Sequence, residues 1–356
     1  MACYHPLKAI QYKTRFTEKG KRQIRILRKE EYNKEFNDDV ELLQLPCGQC
    51  AGCRMDYARQ WANRLMMELE SFKNDPNHTG DAYFVTLTIN DDHINDHRSP
   101  SSHGRGDQKQ LDVLRPYADS DTGILLGWSH SLNKTDLQLF LKRLRKYHPE
   151  DKIRFFAAGE YGEKRCRPHY HLIIFGLSLD NADLTFWKKS GLGYDYMQSK
   201  YIEKCWPFGM NVVAPVTWES CCYVSRYMMK KLLGPEGKKI YDKFNLQAPY
   251  TVMSRRPGIA HKYYEDHPLD KDTVSIVIGG ASGARKFPPP RYLERLFEFD
   301  DPEGAESRRQ IRRLSALNRQ NMVLRQQNLD VETYLKRQEE KFLRSTKILD
   351  EYRNLV

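Results

Sequence analysis

The sequence predicts an α+β fold, with strands and helices interspersed rather than strictly alternating. Three observations predict it. Two β-rich runs, Ile153 to Ala158 and His169 to Phe175, flank the turn-rich connector GEYGEKRCRP and read as an antiparallel hairpin. Several segments carry apolar residues at three- and four-residue spacing, the mark of helices that back a sheet. The 356-residue chain is 40% hydrophobic, so it can bury a substantial core and is too apolar to be disordered.

The elements follow in chain order. Residues 8–34 hold ten Lys/Arg against three acids, and Lys19-Gly20-Lys21 reads as a turn between two short strands, the second Gln23 to Leu27. Cys47, Cys50 and Cys53 then form a C-x2-C-x2-C run. Its thiolates can converge on one metal, with Cys3 as a fourth ligand; structural Zn2+ fits such a set. A glycine-bearing turn with reduced thiols explains the same residues, and an iron–sulfur cluster has less support. Cys166, Cys205, Cys221 and Cys222 read as packing residues.

A helix is expected just after the cysteines, with Met55, Ala58, Ala62, Leu65, Met66, Leu69 and Phe72 on one stripe. Tyr83 to Ile89 reads as a strand. Residues 91–130 are polar and read as a long surface excursion. Asn133 suits an N-cap for a helix over Asp136 to Tyr147. Residues 208–216 read as a short strand. Thr217 caps a helix expected to run to about Leu233 and to stop at Gly234-Pro235. Residues 236–300 hold proline-rich turns and one clear strand, Val274 to Ile278. From about Glu303 the chain is charged and helical in pattern, and Asp330 can start a last amphipathic helix.

Composition narrows the partners. Lys and Arg number 58 against 47 Asp and Glu, so the formal charge is 58 − 47 = +11, which suits nucleic acid or an anionic membrane surface. No run of 18 apolar residues exists, so no spanning helix is expected. The start MACYHPLKAIQYK has no apolar stretch of the kind used for export. A G-x4-G-K-[ST] loop is missing as well, so ATP use is not expected.

Two segments carry chemistry. In RPHYHLIIFG, His169 and His171 are two apart on a strand, so both imidazoles share one face. Glu160, on the opposite hairpin arm, can complete a two-histidine, one-carboxylate set; Glu163, nearer the turn, competes for that place. Such ligands suit Mg2+ or Mn2+ acting on phosphate. A surface histidine pair is the plainer reading of H-x-H alone. In YVSRYMMKK, Tyr223 and Tyr227 are four apart on one helix face, with Arg226, Lys230 and Lys231 nearby. A phenol with its ordinary pKa of about 10 needs such cationic help to attack a phosphodiester. Two packed tyrosines are the plainer alternative.

Taken in order, YFVTLTI, the H-x-H strand and the tyrosine-bearing helix resemble the HUH endonucleases that initiate rolling-circle replication. MACYHPL, LPCGQCAGCR, RQWANR, FLKRLRK, GEYGEK, RPHYH, WPFG, YVSRYMMKK and RRPGIA narrow the resemblance to the replication initiators of microviruses, the gokushovirus branch in particular. These segments run from residue 1 to about 260, with a weaker echo at PPPRYL.

The resemblance implies the HUH fold, a central antiparallel sheet flanked by helices, with the H-x-H on a central strand. It implies a nuclease domain over 1–302, with its catalytic core at about 80–235, followed by a helical tail over 303–356. His169, His171 and Glu160 become metal ligands, Tyr223 and Tyr227 paired nucleophiles, and Lys230 their catalytic cation. Arg167, Arg226 and Lys231 become DNA contacts. The implied activity is nicking and rejoining of single-stranded DNA at a phage origin through a 5′-phosphotyrosine. Host helicase and polymerase are the implied partners, and the bacterial cytoplasm the implied location. A non-catalytic, zinc-stabilised DNA-binding protein is the alternative. The aromatic-basic stretches Arg15-Phe16, Arg256 to Tyr264 and Arg285 to Tyr292 could stack on single-stranded DNA or could be turns and packed surface.

Overall fold

Alternating apolar and polar residues build three antiparallel strands near the N-terminus, β1 (Leu7–Phe16), β2 (Arg22–Ile26) and β3 (Val40–Leu45), in the order β2-β1-β3. Gly20, at φ +71°, supplies the left-handed residue of the expected turn between β1 and β2. The computed structural model describes residues 3–18, 20–32, 34–95, 113–162, 166–191, 193–230, 234–279 and 283–354, and element counts refer to these. Helix α1 (Ala51–Asn74) starts inside the cysteine run rather than after it, so Cys53 lies in its first turn.

The chain forms two compact units. One is Ala58–Arg308; the other joins Met1–Tyr57 to Arg309–Val356. The larger unit is built on β4 (Asp81–Leu87), β5 (Leu114–Ala118), β6 (Leu125–His130), α2 (Lys134–Tyr147), β7 (Arg154–Tyr161) and β8 (Pro168–Leu177). Then come β9 (Leu184–Lys189), β10 (Asp195–Ser199), α3 (Lys200–Cys205), β11 (Asn211–Pro215), α4 (Trp218–Lys230), α5 (Gly234–Lys243) and β12 (Tyr250–Met253). It continues through α6 (His261–Asp266), β13 (Ile276–Ile278), β14 (Arg285–Phe287) and α7 (Arg291–Asp300).

Seven of these strands form one antiparallel sheet in the order β12-β7-β8-β4-β11-β10-β9. Period-two alternation gives it two apolar faces. Phe156, Ala158, Ile173 and Phe175 pack with Leu65 and Met66 of α1 and Cys221 and Val224 of α4. Ala157, Tyr170, Leu172 and Ile174 pack on the opposite face with Leu137, Phe140 and Leu144 of α2 and Trp206 beyond α3. The expected hairpin and the N-cap at Asn133, whose side chain accepts from the Thr135 N–H, are both present.

Three expectations need correction. The excursion over 91–130 contains the hairpin β5–β6 in its second half, because LRPYA and LLGWSH pair across a turn. Gly234 and Pro235 do not end helical structure but open α5, since proline fits a first helical turn. Residues 236–300 hold α6, α7 and β12 to β14, not turns with a single strand.

The Arg256 to Tyr264 stretch is largely packed structure. Ile259, Ala260, Tyr263 and Tyr264 are buried. The Glu68 carboxylate pairs with Arg154 and accepts from the Ala260 N–H at 2.6 Å. Arg154 also donates to the Pro257 and Gly258 carbonyls, each at 3.1 Å. The Arg64 guanidinium lies 4.0 Å over both the Trp61 and Tyr292 rings and donates to the Ile259 carbonyl at 2.8 Å.

Helices α8 (Pro302–Gln327) and α9 (Val331–Asn354) form the helical tail, with Asp330 accepting from the Thr333 N–H at 2.9 Å as the expected helix start. Within the smaller unit, Arg313 of α8 pairs with Glu41 of β3 at 2.6 Å, and Glu339 of α9 lies 3.0 Å from His5. No helix is long and apolar enough to cross a membrane.

Candidate active site

Register assembles the site. Residue 160 of β7 is paired with residue 169 of β8, and Ala158 with His171, so Glu160, His169 and His171 occupy one face of two neighbouring strands. Tyr170, between the histidines, points to the other face, is fully buried and accepts from the Asn133 N–H at 3.2 Å. Its burial pins the strand, and a one-residue slip would turn both histidines into the wrong core. His171 is 3% exposed and Glu160 5%, and the His171 Nε2 lies 3.2 Å from Glu160 Oε1. The two imidazole planes are within 4° of parallel, with centroids 6.5 Å apart.

Both rings are held through Nδ1. The His169 Nδ1 lies 2.8 Å from the Arg167 carbonyl, and the His171 Nδ1 lies 2.9 Å from Thr86 Oγ1 on β4. A metal-binding imidazole needs its second nitrogen oriented in this way, which leaves Nε2 as the ligating atom. Thr86 was not among the expected site residues. It faces His171 across the β4–β8 pair, a relation invisible until the strand order is known. Among the described residues, the group whose ligating atoms all lie within 4.8 Å of one another is Cys3, Cys47, Cys50 and Cys53; the histidine–glutamate set is more open. Its donors nevertheless fit a divalent cation, two neutral nitrogens and one carboxylate being the mixture that leaves coordination positions for phosphate oxygens.

Helix α4 carries Tyr223 to this face. The Tyr223 ring stands edge-on to His171, with centroids 5.3 Å apart at 84°, and edge-on to Phe84 at 5.8 Å. It is 42% exposed, so the phenol is open to a large substrate. Thr217 accepts from the Ser220 N–H at 3.2 Å and starts the helix as expected. Tyr227 and Lys230 follow on the same helix; their side chains, and the whole of Lys231 and Glu163, lie outside the described residues. Arg226 is exposed on α4. Arg167 sits just before β8, where its guanidinium pairs with Asp91 and donates to the Ile89 carbonyl at 3.2 Å, so it also ties the strand end to the loop after β4.

The cysteines form a second centre in the smaller unit. The Cys47 N–H donates to Cys3 Sγ, the Cys50 N–H to Cys47 Sγ and the Tyr4 N–H to Cys50 Sγ, each at 3.3 Å. The Cys3 and Cys50 sulfurs are 3.9 Å apart. Burial pushes the Cys50 thiol up, but hydrogen bonds from the Cys53 and Tyr4 backbone and from neighbouring thiols outweigh it and bring it down to about 6. Four converging sulfurs with N–H donors aimed at them match a structural zinc knuckle, and such a group could hold the ion. Of the cysteines read as packing residues, Cys205 and Cys221 are buried and Cys222 half-buried, whereas Cys166 is exposed.

Comparison with known proteins agrees with this arrangement. The family model of the replication-associated protein ORF2 type matches residues 82–232, which span β4 to the end of α4. Replication-associated protein ORF2 of Spiroplasma virus 4 is 31% identical over 275 residues, covering 75% of this chain and 70% of that protein. Replication-associated protein VP4 of Bdellovibrio phage phiMH2K is 26% identical over 280 residues, covering 76% and 73%. Replication-associated protein ORF4 of Chlamydia phage 1 is 26% identical over 235 residues, covering 64% and 45%. No solved structure matches the chain significantly. The chain belongs to the replication-associated proteins of the microviruses.

Proposed function

We propose that the protein nicks and rejoins single-stranded DNA at a phage replication origin, with Tyr223 and Tyr227 as nucleophiles. The observation that carries this reading is the placement of Tyr223 against His171, on the face shared with His169 and Glu160. His169, His171 and Glu160 are the proposed ligands of Mg2+ or Mn2+. When bound, such an ion supplies Lewis-acid polarisation of the scissile phosphate.

Helix α4 presents the Tyr223 phenol to the phosphorus. The Tyr223 oxygen bonds to phosphorus while the bond to the 3′ oxygen breaks; the phenol loses its proton and the departing 3′ oxygen gains one. The products are a 5′-phosphotyrosine and a 3′-hydroxyl that host polymerase can extend. Tyr227, one turn along the same helix, cuts the regenerated origin, and the freed 3′-hydroxyl displaces the first tyrosine to close the circle. The ester conserves the energy of the broken bond, so no step calls for ATP. Lys230 and Arg226 offset the charge of the attacked phosphate, while Lys231 and Arg167 contact flanking phosphates. Strand separation falls to a host helicase, and the reaction belongs in the cytoplasm of the bacterial host.

The test is a covalent-adduct assay on origin oligonucleotide with Mn2+, with and without EDTA. The wild-type chain is expected to form an adduct that EDTA abolishes. The double variant Tyr223→Phe/Tyr227→Phe is expected to form none, and an adduct from it would refute the nucleophile assignment. Normal cleavage by His169→Ala/His171→Ala would refute the metal site. The tight cysteine cluster favours a second reading, a zinc-stabilised DNA-binding protein, which predicts binding with no adduct under any condition.

A further inference from the structure

A cavity of about 500 Å3 opens beside Glu160. It forms where β7 outruns its neighbour: β12 pairs with Phe156 to Gly159 and goes no further, so the last turn of β7 borders open space instead of a strand. One wall is the β5–β6 hairpin, which contributes Tyr117 and Trp128; the other is α5, which contributes Tyr241 and Phe244. The walls are fastened together. Ser129 Oγ donates to the Phe244 carbonyl at 2.6 Å, and Asn245 Nδ2 donates to the Pro116 carbonyl at 2.8 Å. The Tyr117 and Phe244 rings meet edge to face at 5.2 Å. At Gly127 a Cβ would come within 3.0 Å of the Tyr117 hydroxyl, so the absence of a side chain there lets the Tyr117 ring lie across the hairpin.

These aromatics are not core. Trp128 is 51% exposed, and neither it nor Tyr117 belongs to the two apolar clusters on the sheet. Positive charge surrounds them: Arg167 acts on His130 inside the cavity, Arg115 on Tyr161, and Lys243 on Asp119 of the hairpin tip. Flat aromatic faces ringed by cations and continuous with a phosphate-handling carboxylate are the chemistry of a single-stranded nucleic-acid channel.

We infer that this cavity holds nucleobases of the single strand beside the bond that is cut, with Trp128 and Tyr241 as stacking platforms; this rests on the nickase reading. The hairpin β5–β6 and helix α5 thereby set how the strand enters the site.

The full chain is photo-crosslinked to an oligothymidylate of roughly twenty nucleotides carrying 5-iodouracil, a probe that needs no known origin because stacking tolerates any base. Crosslinked peptides are expected to contain Trp128 or Tyr241. Trp128→Ala is expected to weaken binding of the same oligonucleotide about tenfold, the loss of one base–aromatic stack, with an unchanged melting temperature. Crosslinks confined to other peptides, or unchanged affinity in Trp128→Ala, overturn the inference. The adduct assay run in parallel separates the two claims. An adduct without these crosslinks removes the cavity and leaves the nickase. The crosslinks and the affinity loss without any adduct keep the cavity as a base-binding site and remove the nickase.

Discussion

At the scale of single residues, Thr86 shows how little a site need contain to be tuned. Its hydroxyl can donate to the His171 Nδ1 or accept from it. It can therefore serve either tautomer: the one that gives its Nε2 proton to Glu160, or the one that turns an Nε2 lone pair to a cation. Thr86→Val keeps the shape and removes that choice. It is expected to raise the Mn2+ concentration needed for half-maximal cleavage about tenfold, with the rate at saturating Mn2+ less affected. A metal titration of cleavage checks this; an unchanged midpoint counts against Thr86 as a positioning residue. His130 offers a pH test. Burial, and then the Arg167 guanidinium, hold its pKa below the ordinary 6.5. The unfolded chain therefore takes up this proton first as pH falls. The stability that neutral His130 contributes is complete above 6.5 and is lost as pH drops from 6.5 toward the folded value. The stability gap between wild type and His130→Gln, read from urea midpoints, is expected to shift against the wild type between neutral pH and pH about 5.

At the scale of elements, the parts legible in the sequence were those with a local signature. The H-x-H on a β-rich run, the N-cap Asn133 and the turn at Gly20 each depend on neighbours in the chain, and each stands where expected. Replacing Asn133 by Ala is expected to cost about 1 kcal/mol, because the Thr135 N–H loses its acceptor. What was not legible depends on distant partners. Thr86 meets His171 across 85 residues, and Glu68 meets Ala260 across 192. RRPGIA reads as a basic surface run, yet its carbonyls are acceptors for Arg154 and Arg64. Glu68→Ala would leave Arg154 without its carboxylate and is expected to destabilise the larger unit by roughly 3 kcal/mol, measurable by denaturant unfolding. Helix α5 was hidden for another reason: Gly-Pro looks like a stop unless the next turn is known to be helical.

At the scale of the whole molecule, the +11 charge acquires a distribution and a measurable effect. If about five phosphates are neutralised, single-strand affinity is expected to fall about a hundredfold between 50 and 200 mM salt. An affinity indifferent to salt would contradict DNA as the partner. The cysteine centre predicts one zinc per chain by elemental analysis, lost in Cys50→Ser along with stability of the smaller unit. That unit is made of two stretches, Met1–Tyr57 and Arg309–Val356, with 308 − 58 + 1 = 251 residues between them. Synthesis runs in one direction. At about ten residues per second, the first stretch waits roughly 25 seconds for the second to leave the ribosome. The larger unit can complete its sheet during that interval, whereas β1 to β3 emerge early and must stay unassociated until α8 and α9 arrive. Ordered this way, the nuclease body can mature first, and the zinc-bearing unit closes only on chains translated far enough to supply both of its halves.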